Sequence, residues 1–445
     1  MSHSVKNVDI VWGYLSQFLN IASSLLLLPF VLKFLDKEEL GLWYVFIAMA
    51  GLIQLLEFGL LPSISRFVSY VYSGAKKINY NEIPQCEKDI IDYSLLNDVF
   101  YASKYIYKKI AIISIAAIFI GGNYYLYTLH SDVDYTWLAA CWTLYGVSIA
   151  VQLYFGYYNS LLKGRGDQTA LNKIIVATKS VLLLSAIPML ILGFGIFSLA
   201  VSSFLSIIVD RVLVRRAVFK KDCMLNKKNV ITDEQKVLRK NIWLSAKDMG
   251  FVQLGNYLTV RSGILVVSSF VGLDAAATYG LTVQITMVMV IIASMFFGLN
   301  LPRLNSEQVL KNTLVVKNIF LKSIFVANII YIFSAFILLI AGDFLLSYLT
   351  ESTRLLPFWI LLIYLMTALF EMNYSLCTTY LTTKNKVIFL KSILLSGLAI
   401  LLLSLFSASV MNAGLLGVVL SQLVVQMAYN NWRWPLEVYK DFKNV

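Results

Sequence analysis

The 445-residue chain is poor in the residues that build metal centres and cross-linked folds. It has four cysteines, Cys86, Cys141, Cys223 and Cys377, with no close pair, and two histidines, His3 and His130. That scarcity argues against a disulfide scaffold and a histidine-rich metal site. Charge is scarce as well, at 14% of residues against 59% hydrophobic. A soluble domain of that composition would lack the polar surface to cover itself. No glycine-rich phosphate-cradling loop occurs, so nothing in the chain indicates ATP hydrolysis. The net charge of +12 does not form a nucleic-acid patch, because the basic residues flank apolar runs of lipid-spanning length.

What the chain has is those runs. Twelve reach the roughly 20 residues that a hydrocarbon core requires, at about 10–32, 41–65, 110–127, 137–161, 174–192, 196–214, 243–271, 277–300, 319–341, 356–379, 387–408 and 413–432. The first carries no basic leader or small-residue cleavage site and is read as a retained span. Numbering connectors from the N-terminus, the even side collects 33 of the 37 lysines and arginines; the odd side has Lys33, Lys37 and Arg354, and Arg261 falls inside a span. The positive-inside bias therefore predicts cytoplasmic termini. The connectors 66–109 and 215–241 are expected to carry surface helices or run as solvated linkers, and the stretch 92–109 has an interfacial composition.

The order of motifs recurs. DKEELGLW, with Gly41, leads through a span to FGLLP at Phe58–Pro62; DAAATYGLT, with Gly280, leads through a span of similar length to FGLNLP at Phe297–Pro302. Matched spacing and sidedness predict two six-helix lobes, 1–219 and 242–445, joined by a basic connector at 220–241 and related by an axis along the membrane normal. Such lobes can enclose a central cavity, which makes transport the leading function class and gives an enzyme no comparable role.

These motifs resemble the polysaccharide transporter family, the branch of the multidrug and polysaccharide exporter superfamily that includes bacterial O-antigen flippases. The resemblance rests on Leu28-Pro29, Asp36–Gly41, Glu57-Phe58-Gly59-Leu60 with Pro62 and Arg66, the run YYNSLLKGRGDQTALNK at Tyr157–Lys173, and the second copy at Gly280 and Phe297–Pro302. It implies an all-α inner-membrane protein that moves an undecaprenyl-diphosphate-linked oligosaccharide from the cytoplasmic to the periplasmic leaflet for surface polysaccharide assembly. It also implies polymerase and assembly proteins as partners, no bound cofactor, and coupling to a proton or sodium gradient. The alternatives are an ion-coupled exporter of small amphiphilic compounds and, more remotely, a membrane glycosyl enzyme, which the short outer connectors disfavour.

Depth and charge select the candidate residues. Arg261 lies about ten residues from the outer end of its span, roughly 15 Å deep. It is read either as a cation for the cargo diphosphate or as half of an ion pair with Glu57 or Glu371. Glu57 and Glu371 lie deep in the second and tenth spans and are candidates for gradient coupling or counter-ions. Arg66 and Lys247, with Asp248 beside it, stand at the basic ends of spans, where they recruit anionic substrate or anchor topology. Lys163, Arg165 and Asp167 occupy a short turn on the same side. On an ideal straight helix Glu57 and Arg66 would be about 13.5 Å apart and on opposite faces, with Pro62 between them as the expected disturbance. The second copy has Phe296 where Glu57 would align.

Overall fold

The computed structural model describes residues 7–79, 91–222, 233–310, 312–350, 353–384 and 388–443. His3, Cys86, Cys223 and residues 223–232 of the expected connector lie outside the described residues. Within them the chain is helical: α1 (Asn7–Phe34), α2 (Lys37–Gln54), α3 (Leu60–Tyr72), α4 (Tyr93–Ala116), α5 (Asn123–Thr128), α6 (Tyr135–Tyr154), α7 (Gly156–Gly164), α8 (Gln168–Ile191) and α9 (Ile196–Lys221). There follow α10 (Asp233–Val260), α11 (Ser262–Phe270), α12 (Leu273–Val309), α13 (Thr313–Ser347), α14 (Phe358–Thr383), α15 (Leu390–Ser409), α16 (Gly414–Ala428) and α17 (Asn430–Lys443). A helix satisfies its own backbone groups, which is what an apolar run needs in lipid.

Among the described residues, ten helices are long and apolar enough to cross a membrane. The other two expected spans are α10–α11, interrupted at Arg261, and α16–α17, whose first helix is only 15 residues long. About twelve spans result, in a multi-pass membrane protein. The third span begins earlier than expected, within the connector 66–109 and at its interfacial stretch 92–109. There α4 starts at Tyr93, with Asp92 capping the Ser94 and Leu95 amides, and runs straight into the membrane. A helix that already has its hydrogen bonds continues through a change of solvent without interruption. At Ala117–Gly122 the same span opens into a π-turn, and the buried Trp142 indole donates to the Ile118 carbonyl at 3.1 Å.

The chain forms two compact units. Residues 1–35 and 49–253 make the first, and 36–48 and 254–445 the second. This differs from the expected division at 219 and 242, because the first part of α2 packs with the second unit and the start of α10 with the first. The cause in α2 is local: a Cβ on Gly41 would strike the Leu273 backbone, and one on Gly280 would strike the Tyr44 ring. Only two glycines permit so close a crossing. The crossing is fastened by Tyr44 donating to Gln284 Oε1 at 2.7 Å, by Lys37 and Asp274 at 3.3 Å, and by Tyr257 donating to the Ala48 carbonyl at 2.8 Å. The two glycines that mark the repeat in the sequence thus both lie at this crossing, Gly41 against Leu273 and Gly280 against Tyr44. Elsewhere in it, α17 lays Trp434, Val438 and Phe442 inward, and Lys384 holds Asp441 at 2.8 Å.

The FGL tracts, by contrast, fold differently. The first breaks its span, with Phe58 at φ 45° and Gly59 at φ 72°, whereas the second lies inside the continuous α12. Pro62 is not the cause of the break. It sits in the first turn of α3, where its missing N–H has no intrahelical partner to lose. Gly59→Ala should lower the unfolding temperature in detergent, because its backbone is left-handed and a Cβ would lie 2.7 Å from the Ala246 carbonyl oxygen. Gly298→Ala, with nothing within 4 Å of its Cβ, should leave stability unchanged or raise it by up to about 1 kcal/mol. Equal losses in the two variants would refute the asymmetry.

Candidate functional site

In the first unit the candidate site is built around the broken span. After α2 one 3-10 turn, Leu55–Glu57, leads to the two left-handed residues and then to α3. A left-handed phenylalanine costs on the order of 1–3 kcal/mol and is held by what surrounds it. The Phe58 ring stacks on Trp243 at 5.4 Å, meets Phe251 edge-on at 5.0 Å and closes over Gly250, all on α10. The straight-helix relation between Glu57 and Arg66 therefore does not hold.

Glu57 Oε1 accepts a 2.7 Å hydrogen bond from Tyr107, a fully buried residue of α4. In the same unit Arg211, on α9, is a buried arginine. Arg211 is only 7% exposed, donates to the Phe155 carbonyl at 3.2 Å, pairs with Asp210 and leaves Nε without a partner among the described residues. Sequence reasoning counted Arg211 among the topological anchors and missed Tyr107. The available signal was the adjacent Asp210-Arg211 pair at the end of an apolar run.

Toward the basic side, exposed Arg66 donates to Ser245 Oγ on α10. Lys247 and Asp248 lie two and three residues further along the same helix, and the side chains of both make no hydrogen bond or ion pair among the described residues. Arg165, by contrast, has all three guanidinium nitrogens engaged. It binds Asp222 at 2.6 Å, Asp167 at 2.8 Å and the Ala217 and Val218 carbonyls. Lys221 reaches Asp167 at 2.7 Å, and Tyr72 donates to Asp222 at 2.7 Å. Arg165 is thereby committed to tying α3, the α7–α8 turn and α9 together. Burial alone would raise the Asp167 carboxyl, but the Lys221 ammonium and Arg165 guanidinium outweigh it and hold the carboxyl below the ordinary range.

In the second unit Arg261 occupies the interruption between α10 and α11. It is partly buried, and its side chain makes no hydrogen bond or ion pair among the described residues. Glu371, on α14, is partly buried with Oε1 unpartnered, and Gln422 and Gln426 of α16 are set against its carboxyl. Tyr374, one turn along α14, has an unpartnered buried hydroxyl. Asn373 is occupied in a reciprocal 2.8 Å amide pair with Asn328 of α13. No group of three or more metal-ligating side chains occurs among the described residues.

No protein-family model and no curated protein sequence matches the chain. Solved structures do. An inward-facing multidrug resistance MATE family transporter of the MOP superfamily aligns over 98% of this chain and 99% of its own, with a TM-score of 0.72 at 14% identity. The lipid II flippase MurJ, in an inward closed conformation, aligns over 98% and 88% with a TM-score of 0.70 at 15% identity. An outward-facing MATE transporter of the same superfamily aligns over 98% and 95% with a TM-score of 0.62 at 13% identity. The chain has the fold that these transporters share.

Two measurements check the first unit. Tyr107→Phe removes the hydrogen bond to the half-buried Glu57 carboxylate, so the unfolding free energy should fall by about 1–3 kcal/mol; an unchanged unfolding temperature in detergent would refute the pairing. Because the folded Asp167 carboxyl lies below its unfolded value, its contribution is complete above that unfolded value, about pH 4, and is lost as pH falls through the folded one. Wild type should lose stability between about pH 5 and pH 2, and Asp167→Asn, weaker at neutral pH, should lose less over that range.

Proposed function

We propose that the chain is a flippase for an undecaprenyl-diphosphate-linked oligosaccharide, carrying it from the cytoplasmic to the periplasmic leaflet of a bacterial inner membrane for O-antigen or related surface polysaccharide assembly. The observation that carries this reading is Arg261, a cation without an ion pair among the described residues at an interruption in a membrane helix. Charge in that setting is retained for a partner, and a guanidinium fork matches phosphate oxygens. The likeness in fold to a lipid II flippase supports the same class of cargo.

In this reading both termini are cytoplasmic, in keeping with the placement of the basic residues. Arg66 and Lys247 then receive the anionic head from the cytoplasmic leaflet, and Asp248 limits how strongly it is held. Glu371 and Glu57 are the acids through which a proton or sodium gradient acts. Glu371 suits the task better, because it has an unpartnered oxygen whereas Glu57 is already satisfied by Tyr107. No covalent chemistry is required of the chain, and polymerase and assembly proteins would take up its product. The second reading, an ion-coupled exporter of small amphiphilic compounds, is favoured by the likeness to the multidrug transporters.

Reconstitution separates the two. Proteoliposomes holding a labelled undecaprenyl-diphosphate oligosaccharide should expose it in the opposite leaflet, faster under an imposed proton or sodium gradient. Arg261→Gln should abolish that exposure, and Glu371→Gln should remove its response to the gradient. Gradient-driven efflux of a small organic cation with no movement of the lipid would establish the exporter instead.

A further inference from the structure

The first unit holds a cavity of about 260 Å³ walled by α3, α7, α8 and α9. Its apolar floor includes Leu61 and Ile174, and its polar wall is Asn159, Lys163, Gln168 and Asp210. Asn159 and Lys163 are four residues apart and so share a face of α7. Neither side chain makes a hydrogen bond or ion pair among the described residues. Gln168 donates its amide N–H to Asn172 at 3.3 Å, which leaves its carbonyl oxygen unused. Asp210 is held from behind by Arg211 through Oδ2, and its Oδ1 accepts no hydrogen bond among the described residues. The deeply buried Arg211 thus sets the orientation of a carboxylate that faces the cavity.

The inventory selects a chemical class. One ammonium and one carboxylate line the wall, so a phosphate would meet Asp210 and an organic cation would meet Lys163. A purely apolar guest would cover the half-buried Asn159 and Asp210 without a hydrogen bond, while Lys163 and Gln168 stand exposed at the rim. Amide, ammonium and carboxylate groups around an apolar floor instead offer donors and acceptors in turn, which suits hydroxyl groups that are both at once. We infer that this cavity is a sugar subsite, which takes one pyranose ring of the saccharide head while the cationic residues elsewhere take the diphosphate. The inference rests on the proposed cargo and adds which part of that cargo the first unit reads. A site built to hydrogen-bond hydroxyls rejects guests that lack them, so the cavity gives the protein preference for glycosylated over bare lipid.

The test uses the full chain in nanodiscs and four probes: undecaprenyl diphosphate alone, and the same lipid bearing a single glucose, galactose or N-acetylglucosamine. Wild type should bind at least one sugar-bearing probe about tenfold more tightly than the bare lipid, the equivalent of one well-made hydrogen bond. Gln168→Leu, on an exposed position at the rim, and Asn159→Leu should erase that preference and leave bare-lipid affinity unchanged; unfolding temperatures report whether either variant is damaged. Equal binding of all four probes by wild type, or equal losses for bare and glycosylated lipid in a stably folded Gln168→Leu, would overturn the subsite and leave the flippase reading standing. Failure of wild type to bind any of the four would overturn both.

Discussion

In hydrocarbon a polar group has no solvent to fall back on, and each interruption or charge in a span must find its partner inside the protein or in a ligand. That constraint sorts the charged residues of this chain into two groups. Glu57 is answered by Tyr107, and Arg165 by two carboxylates and two carbonyls. Arg261 and Glu371 retain unanswered atoms among the described residues. The first group is satisfied within the chain, and the second is not among the described residues.

The same constraint explains why the second span can break where its counterpart does not. Left-handed backbone at Phe58 and Gly59 is tolerable because three α10 positions close around the phenylalanine ring and Tyr107 satisfies the neighbouring carboxylate. The later FGL tract has phenylalanine in the position of Glu57 and passes through α12 as plain helix. The same FGL tract is thus plain helix in one place and, in the other, a bend that carries an acid.

Arg211 shows why linear depth misleads. By position it stands near the end of a span, with the basic residues that anchor topology. In the fold it is 7% exposed, pairs with Asp210 and donates to the Phe155 carbonyl. A charge count along the chain weights every arginine alike; burial and partners decide which is an anchor. The cavity beside Asp210 was equally hidden, since Asn159, Lys163, Gln168 and Asp210 come from three helices whose packing no spacing rule reveals.

The sequence by itself determined the solvent and the approximate span number, because hydrocarbon thickness and helical rise convert the length of an apolar run directly into a crossing. It also singled out Arg261, Glu57 and Glu371, because a charge in such a run is costly wherever the helix points. Only the tertiary structure decided which of those charges are satisfied, that the second span breaks at Phe58 rather than bending at Pro62, and that residues 36–48 pack with the second unit. Those outcomes depend on side chains brought together from distant helices. Helix-to-helix approach is set by close packing at positions such as Gly41 and Gly280, whose meaning appears only when both are in place.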